Sequence, residues 1–246
     1  MVERDDRAMV APVASFFIAM KLTPGKVIDL DDAAAHHARV KRLERTDAVR
    51  LTDGAGNVAF GQIITMDKRA VSVEIDSVRQ IPPPHAVHVR VPVGDRDRML
   101  WLAEKVTELG IASWQTVRFK RSASVTPRGE GESFAAKVRA RMLSALEQSG
   151  GAWLPAIHDD VVLDALAVDS SQTPLLLDVD GIPIRDAIAD SHERDPVVLF
   201  GPEGGLDAQE RQQLLERGWQ PVRLANTTLR FETAGIAAVA VLRALV

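Results

Sequence analysis

The 246-residue sequence contains no cysteine. That excludes a disulfide framework, a thiolate zinc site and a cysteine nucleophile, and it accords with a reducing compartment. No apolar run approaches the roughly 20 residues needed to cross a bilayer, so no membrane association is expected. The opening stretch MVERDDRAMVAP carries both signs of charge and lacks the apolar core of a signal peptide. Residues 1–14 read as a loose extension, and the protein reads as cytoplasmic. A large excess of positive charge is also missing: 30 Lys and Arg face 34 Asp and Glu, a formal net charge of −4. Taken as an average, this argues against a general nucleic-acid coat. The average conceals a gradient. Residues 1–84 hold 12 basic and 12 acidic side chains, residues 85–155 hold 11 against 7, and residues 156–246 hold 7 against 15.

The pattern of turn residues divides the chain in two. Val27–Leu30, Ala48–Thr52, Val58–Thr65 and Ala70–Val78 are short β-rich runs, and DGAGN at 53–57 joins two of them as a hairpin. DDAAAHHARVKRLER at 31–45 reads as a helix capped by Asp and ending basic. A small barrel over 15–81 with one inserted helix accommodates these elements. PPPH at 82–85 breaks regular structure and marks a linker. From residue 86 to the end, strands and helices alternate. The strands are 86–93, 114–119, 174–179, 196–200 and 221–224, and the helices are 96–109, 132–149, 184–190, one after Asp207, and 231–246. This alternation indicates a parallel α/β sheet with helices on its faces.

Two segments carry candidate chemistry. PVVLFGPEGGLDAQE at 196–210 is a buried strand running into a glycine-rich loop and a helix. Ligands of open α/β sheets bind beyond the carboxyl ends of strands, and Gly201, Gly204 and Gly205 would let one approach bare backbone. The loop lacks the Gly-Lys-Ser/Thr of a P-loop and the GxGxxG of a dinucleotide fold. A tight turn with Asp207 as N-cap is an equally good reading of the spacing. In LANTTLRFETAGIAAVAVLRALV, from Leu224 onward, Arg230 and Glu232 stand at the mouth of an apolar helix. In isolation they also suit a salt-bridged helix start, and the helix itself suits a core or a dimer interface.

Together with HHARVKR at 36–42, EKVTELG at 104–110, KRS at 120–122 and EQSG at 147–150, these segments resemble the ribosomal small subunit methyltransferase E family over almost the whole chain. The resemblance implies an N-terminal PUA-like barrel over 15–81 and, over 86–246, a SPOUT-class α/β domain with a deep trefoil knot. It implies a homodimer that methylates N3 of a uridine in 16S ribosomal RNA of the small ribosomal subunit, with S-adenosylmethionine (SAM) as cofactor and no metal. By the same resemblance, three loops hold SAM: Leu176, Leu177 and Asp178; Phe200, Gly201, Pro202, Glu203, Gly204 and Gly205; and Leu224, Ala225, Asn226, Thr228 and Leu229. Arg230 and Glu232 become candidate catalytic residues. His36, His37, Arg39, Lys41, Arg42, Arg98, Lys105, Arg121, Ser122 and Gln148 become candidate RNA contacts. The rival readings are a related enzyme acting on another RNA site and a non-catalytic RNA-binding assembly factor.

The missing cysteine bears on the chemistry. Methylation at C5 of uracil commonly needs a thiolate adduct, whereas N3 needs only loss of the imide proton and in-line attack on a methyl group. Negative charge then develops on N3, O2 and O4, which a cation such as Arg230 would stabilise. Several positions depart from the family pattern. Ser15 replaces an Arg before Phe16 and Phe17, Gly151 and Trp153 replace two further Arg, Val93 replaces a Lys, and Ala225 replaces a Gly. A second basic stretch, Arg118, Lys120, Arg121, Arg128, Lys137, Arg139 and Arg141, could compensate for these losses, although charge runs are commonly solvated faces.

Overall fold

A computed structural model describes residues 11–67, 70–124, 129–189 and 194–245. The chain forms two units. The first runs to Pro82 and takes in Leu146–Trp153; the second holds Pro83–Ala145 and Leu154 onward.

In the first unit, β1 (Ala14–Phe17), β2 (Val27–Asp29), β3 (Ala48–Thr52), β4 (Asn57–Met66) and β5 (Val71–Gln80) form a sheet in the order β1-β3-β4-β5-β2. β1 lies parallel to β3, and the other neighbours are antiparallel. Ala14, read from sequence as part of a loose extension, is buried and opens β1. Phe16, Leu51, Ile63 and Ile75 fill the core. The 53–57 hairpin is tied by Asp53, whose carboxylate accepts the amides of Ala55 and Asn57, with Gly54 and Gly56 at positive φ. A Cβ on Gly56 would run into the Trp153 ring.

Helix α1 (Asp32–Val40) is capped by Asp31, which accepts the Ala34 amide at 2.8 Å. It is shorter than the expected 31–45 run. The Leu43 amide reaches Ala38 O and the Arg42 amide reaches Arg39 O, while Arg42 takes φ 56°. That is the Schellman stop, built with Arg where glycine is usual. Burial of Leu43 holds it in place.

The second unit carries a six-stranded, wholly parallel sheet: β6 (His88–Pro92), β7 (Ser113–Arg118), β8 (Ala156–Val162), β9 (Gln172–Pro183), β10 (Asp195–Phe200) and β11 (Gln220–Arg223), in the order β11-β9-β10-β6-β7-β8. The helices are α2 (Arg96–Glu108), α3 (Glu132–Ser149, which from Leu146 on belongs to the first unit), α4 (Ile184–Ile188), α5 (Ala208–Glu216) and α6 (Phe231–Leu245). Alternate strand residues face opposite layers. Val198 and Phe200 pack with Met99, Leu102, Val239 and Leu242, whereas Val197 and Leu199 pack with Leu163, Leu214 and Trp219. Gly235 on α6 is needed for this fit, because a Cβ there would press on Phe200 and Leu102.

β8 has no counterpart in the sequence reading. Its AIHDDVV run is mostly exposed and lies at the sheet edge, so it shows neither continuous nor alternating apolarity. Among the described residues no helix is long and apolar enough to cross a membrane, and no group of three His, Asp or Glu could hold a metal.

Candidate active site

Because all six strands run parallel, their carboxyl ends share one edge of the sheet. At the ends of β9, β10 and β11, three loops surround a cavity of about 370 Å³. That is within the usual range for small-molecule sites.

The first wall is an excursion of β9. β11 pairs Pro221 with Leu176 and then Val222 with Ile182, so residues 177–181 leave the ladder with β11, while Leu177 still pairs with Phe200 of β10. Leu177 and Asp178 line the cavity, as do Val179 and Asp180. Leu176 does not; it is fully buried in the opposite layer. Gly181 permits the return, since a Cβ there would collide with the Pro221–Val222 peptide. Arg223 Nη1 donates to Gly181 O at 2.6 Å, and Arg211 Nε donates to Asp178 Oδ2 at 2.6 Å.

The second wall is the glycine-rich loop. Phe200, Gly201, Pro202 and Gly205 line the cavity, whereas Glu203 and Gly204 stand outside it in a turn closed by the Gly205 amide on Pro202 O. Gly205 has φ 71°, a conformation that favours glycine. Asp207 caps α5 through a full capping box with Glu210. The Gln209 amide on Asp207 holds its carboxyl below the ordinary carboxylate range. Glu210 is buried, and its other oxygen accepts the Lys120 amide at 2.7 Å.

The third wall is the loop from β11 to α6. Leu224, Ala225, Thr228 and Leu229 line the cavity together with Thr227 and Phe231, but Asn226 is exposed outside it. Next to this wall, Arg230 is exposed, with no side-chain partner among the described residues. Glu232 is 8% exposed; its Oε1 lies 3.9 Å from Arg98 Nε, and its Oε2 has no hydrogen-bond partner among the described residues. Arg98 also pairs with Glu203, so one guanidinium joins a carboxylate of the second loop to one in the first turn of α6.

The expected RNA contacts fall into different surroundings. His36, Lys41 and Arg42 make no side-chain hydrogen bond or salt bridge to a described residue; the first is on α1, and the other two lie beyond its last residue. His37 meets the Phe16 ring edge-on, and Arg39 donates to Asp67 O at 3.1 Å. Gln148 is exposed near the end of α3. Lys105 is held by Glu104 and Glu108, both at 2.8 Å, which raises its pKa. Arg118 pairs with Glu130 at 2.7 Å, and Arg141 lies 3.6 Å from Glu104. Arg121 Nη1 donates to Gly204 O at 2.9 Å, which braces the glycine loop. Ser122 needs correction as an RNA contact: it is 2% exposed, and its hydroxyl accepts the Phe119 amide. Arg128 lies outside the described residues.

Sequence reasoning missed Asp180, Arg211, Arg223 and Phe231 as lining residues. The Asp-Val-Asp-Gly run at 178–181 was a usable signal for a bend. Nothing local marks Arg211, whose partner Asp178 is 33 residues away.

A family model described as an RNA methyltransferase domain matches residues 82–243, which include all three loops. The chain belongs to this RNA methyltransferase family. A second model, an RNA methyltransferase PUA domain, matches residues 30–76, spanning α1, β3, β4 and much of β5. The chain is 26% identical over 226 residues to a ribosomal RNA small subunit methyltransferase E of Aquifex aeolicus, covering 89% of this chain and 94% of that one. It is 27% identical over 247 residues to its namesake in Synechocystis, covering 94% and 80%. Among solved structures it resembles a ribosomal RNA small subunit methyltransferase E from Neisseria gonorrhoeae bound to S-adenosyl methionine. That match has 28% identity and a TM-score of 0.84, covering 94% of this chain and 97% of the other.

Proposed function

We propose that the chain methylates N3 of a uridine in 16S ribosomal RNA, with SAM as the methyl donor. The cavity at the three strand ends carries this reading, because it has the features such a cofactor requires. Phe200 and Leu177 offer apolar walls, and Gly201 and Gly205 expose backbone for adenine and ribose. Two Arg and two Asp side chains balance one another around it, which suits a zwitterion better than a polyphosphate. SAM, when bound, supplies an electrophilic methyl group on a sulfonium.

The remaining roles belong to the chain's own side chains. Arg230, exposed and unpaired beside the cavity, stabilises the charge that develops on the uracil oxygens. Glu232 accepts the imide proton on its unpartnered Oε2, and Arg98 holds its other oxygen. Holding both reactants side by side at the three loops supplies the orientation. His36, His37, Arg39, Lys41 and Arg42 contact RNA phosphates, with Arg98, Lys105, Arg121 and Gln148 as further contacts. The same reading includes a PUA-like first domain, a trefoil knot in the second, a homodimer and a cytoplasmic location. Trp101 on α2, 47% exposed, offers apolar surface for such a dimer.

Mass spectrometry of 16S ribosomal RNA from a strain lacking the gene tests the assignment. Loss of N3-methyluridine is the expected result, and its persistence at the wild-type level would refute the proposal. If the purified chain also failed to bind SAM, a non-catalytic assembly role would replace it.

A further inference from the structure

The cavity wall carries two guanidinium groups, Arg211 and Arg223, and two carboxylates, Asp178 and Asp180. Their hydrogen-bonding capacity is engaged unevenly. Asp178 accepts the Asp180 amide at 3.0 Å on one oxygen and Arg211 Nε at 2.6 Å on the other, and its side chain is only 13% exposed. Arg223 Nη1 donates to Gly181 O. Two groups remain. Arg211 has Nη1 and Nη2 without a hydrogen bond to any described residue, and the Asp180 carboxylate is exposed and likewise unbonded.

This arrangement is directional. Asp178 grips Arg211 by its Nε and thereby fixes a guanidinium whose terminal edge is left over. Two parallel N–H groups on one planar edge match a carboxylate. Asp180 lies two residues from Asp178 on the same bend, so a carboxylate stands on the wall that bears the fork. A donor fork beside a carboxylate complements an α-amino acid zwitterion. A phosphate would be repelled by the second member of the pair.

Resting on the SAM reading, we propose that Arg211 and Asp180 form an amino-acid subsite, in which Arg211 takes the α-carboxylate of the cofactor and Asp180 its α-ammonium. Asp178 is a positioning residue that orients Arg211. The subsite makes the site selective for ligands that keep the amino-acid end over those reduced to the nucleoside.

Isothermal titration of the purified full chain tests this with two probes. S-adenosylhomocysteine carries the amino-acid head, and 5′-methylthioadenosine has the same thioether nucleoside without it. Arg211→Met should weaken S-adenosylhomocysteine about 10-fold or more, as expected for a charge-assisted hydrogen-bonded pair, and leave methylthioadenosine within about 2-fold. Asp180→Asn should show the same selectivity at smaller size. The double variant Arg211→Met/Asp178→Asn removes the stranded Asp178 charge and should retain the selective loss. Parallel weakening of both probes would overturn the proposal and make Arg211 a brace for the bend. Unchanged binding of S-adenosylhomocysteine to the Arg211 variant would overturn it too, with the SAM reading intact. Failure of the wild-type chain to bind S-adenosylhomocysteine or SAM at all would refute both.

Discussion

In the first unit, His36, Lys41 and Arg42 lie in or just after α1 without a side-chain hydrogen bond or salt bridge to a described residue. In the second, Arg98, Lys105, Arg118 and Arg141 each lie within salt-bridge distance of a carboxylate, and Arg121 is bonded to a loop carbonyl. These two sets of cations are held under different conditions. Residues 85–155 carry the basic excess in sequence, yet much of that charge is neutralised locally by Glu104, Glu108, Glu130 and Glu203. Residues 1–84 balance to zero, yet Lys41 and Arg42 just beyond α1 make no side-chain hydrogen bond or salt bridge to a described residue, whereas Arg39 and Arg50 are bonded. Net charge along a sequence therefore does not show which of its cations are already engaged. Exposed ion pairs contribute only about 0–1 kcal/mol, so the second unit's cations can exchange partners, at some loss of net attraction.

Arg230, like Lys137, Arg139 and Arg194, makes no side-chain hydrogen bond or salt bridge to a described residue, and it stands beside the cavity. If it acts on the uracil, Arg230→Ala should lower kcat about 100-fold and leave SAM affinity within about 3-fold. Steady-state kinetics with titration of SAM would check this, and equal losses in both would make Arg230 part of the pocket wall.

The comparison itself can be broken by salt titration of RNA binding. Lys41→Ala should reduce the slope of log K against log salt by about 1, the value for one phosphate contact. Lys105→Ala should change it by clearly less, because Glu104 and Glu108 already engage that ammonium group. Equal slopes for the two variants would remove the distinction between free and paired cations.

A smaller effect concerns Arg42, held at φ 56° where glycine is favoured. Arg42→Gly should raise unfolding stability by about 0.5–1 kcal/mol in denaturant titration while weakening RNA binding. Strain retained at a free cation would then have a functional reason.

The smallest effect is a pH dependence. Burial first, then Arg90 beside it, pushes the His88 pKa below its ordinary value of 6.5. The fold thus favours the neutral imidazole. Its contribution to stability is fully present above about pH 6.5 and is lost as pH falls through the lowered value. Thermal melts between pH 7.5 and 5 should show this decline, and His88→Asn should flatten it.

Much of the second unit was legible in sequence because parallel strands are apolar runs and their helices end at punctuation. Glu132–Ser149 matches its expected range, and Asp207 caps α5 as its position before the helix suggests. Leu177, Asp178, Phe200, Gly201, Pro202, Gly205, Leu224, Ala225, Thr228 and Leu229 do line one cavity. Other features were hidden for physical reasons. β8 is a polar edge strand, and α1 stops early because Arg42 adopts a backbone conformation that no sequence rule assigns to arginine. The excursion at 177–181 depends on β11, more than 40 residues later. Partnerships such as Arg98 with Glu203 join residues 105 apart, so charge runs read from sequence could not reveal which cations were engaged.

The most direct test of the central claim is methyl transfer in vitro. Labelled SAM and the purified chain would be incubated with small ribosomal subunits, or naked 16S RNA, from cells lacking the gene, and the nucleosides then separated by mass. The account predicts label in N3-methyluridine at one site with the wild-type chain and about 100-fold slower labelling with Arg230→Ala. Label at C5 of a pyrimidine or on a ribose hydroxyl, or no transfer to either RNA, would contradict it.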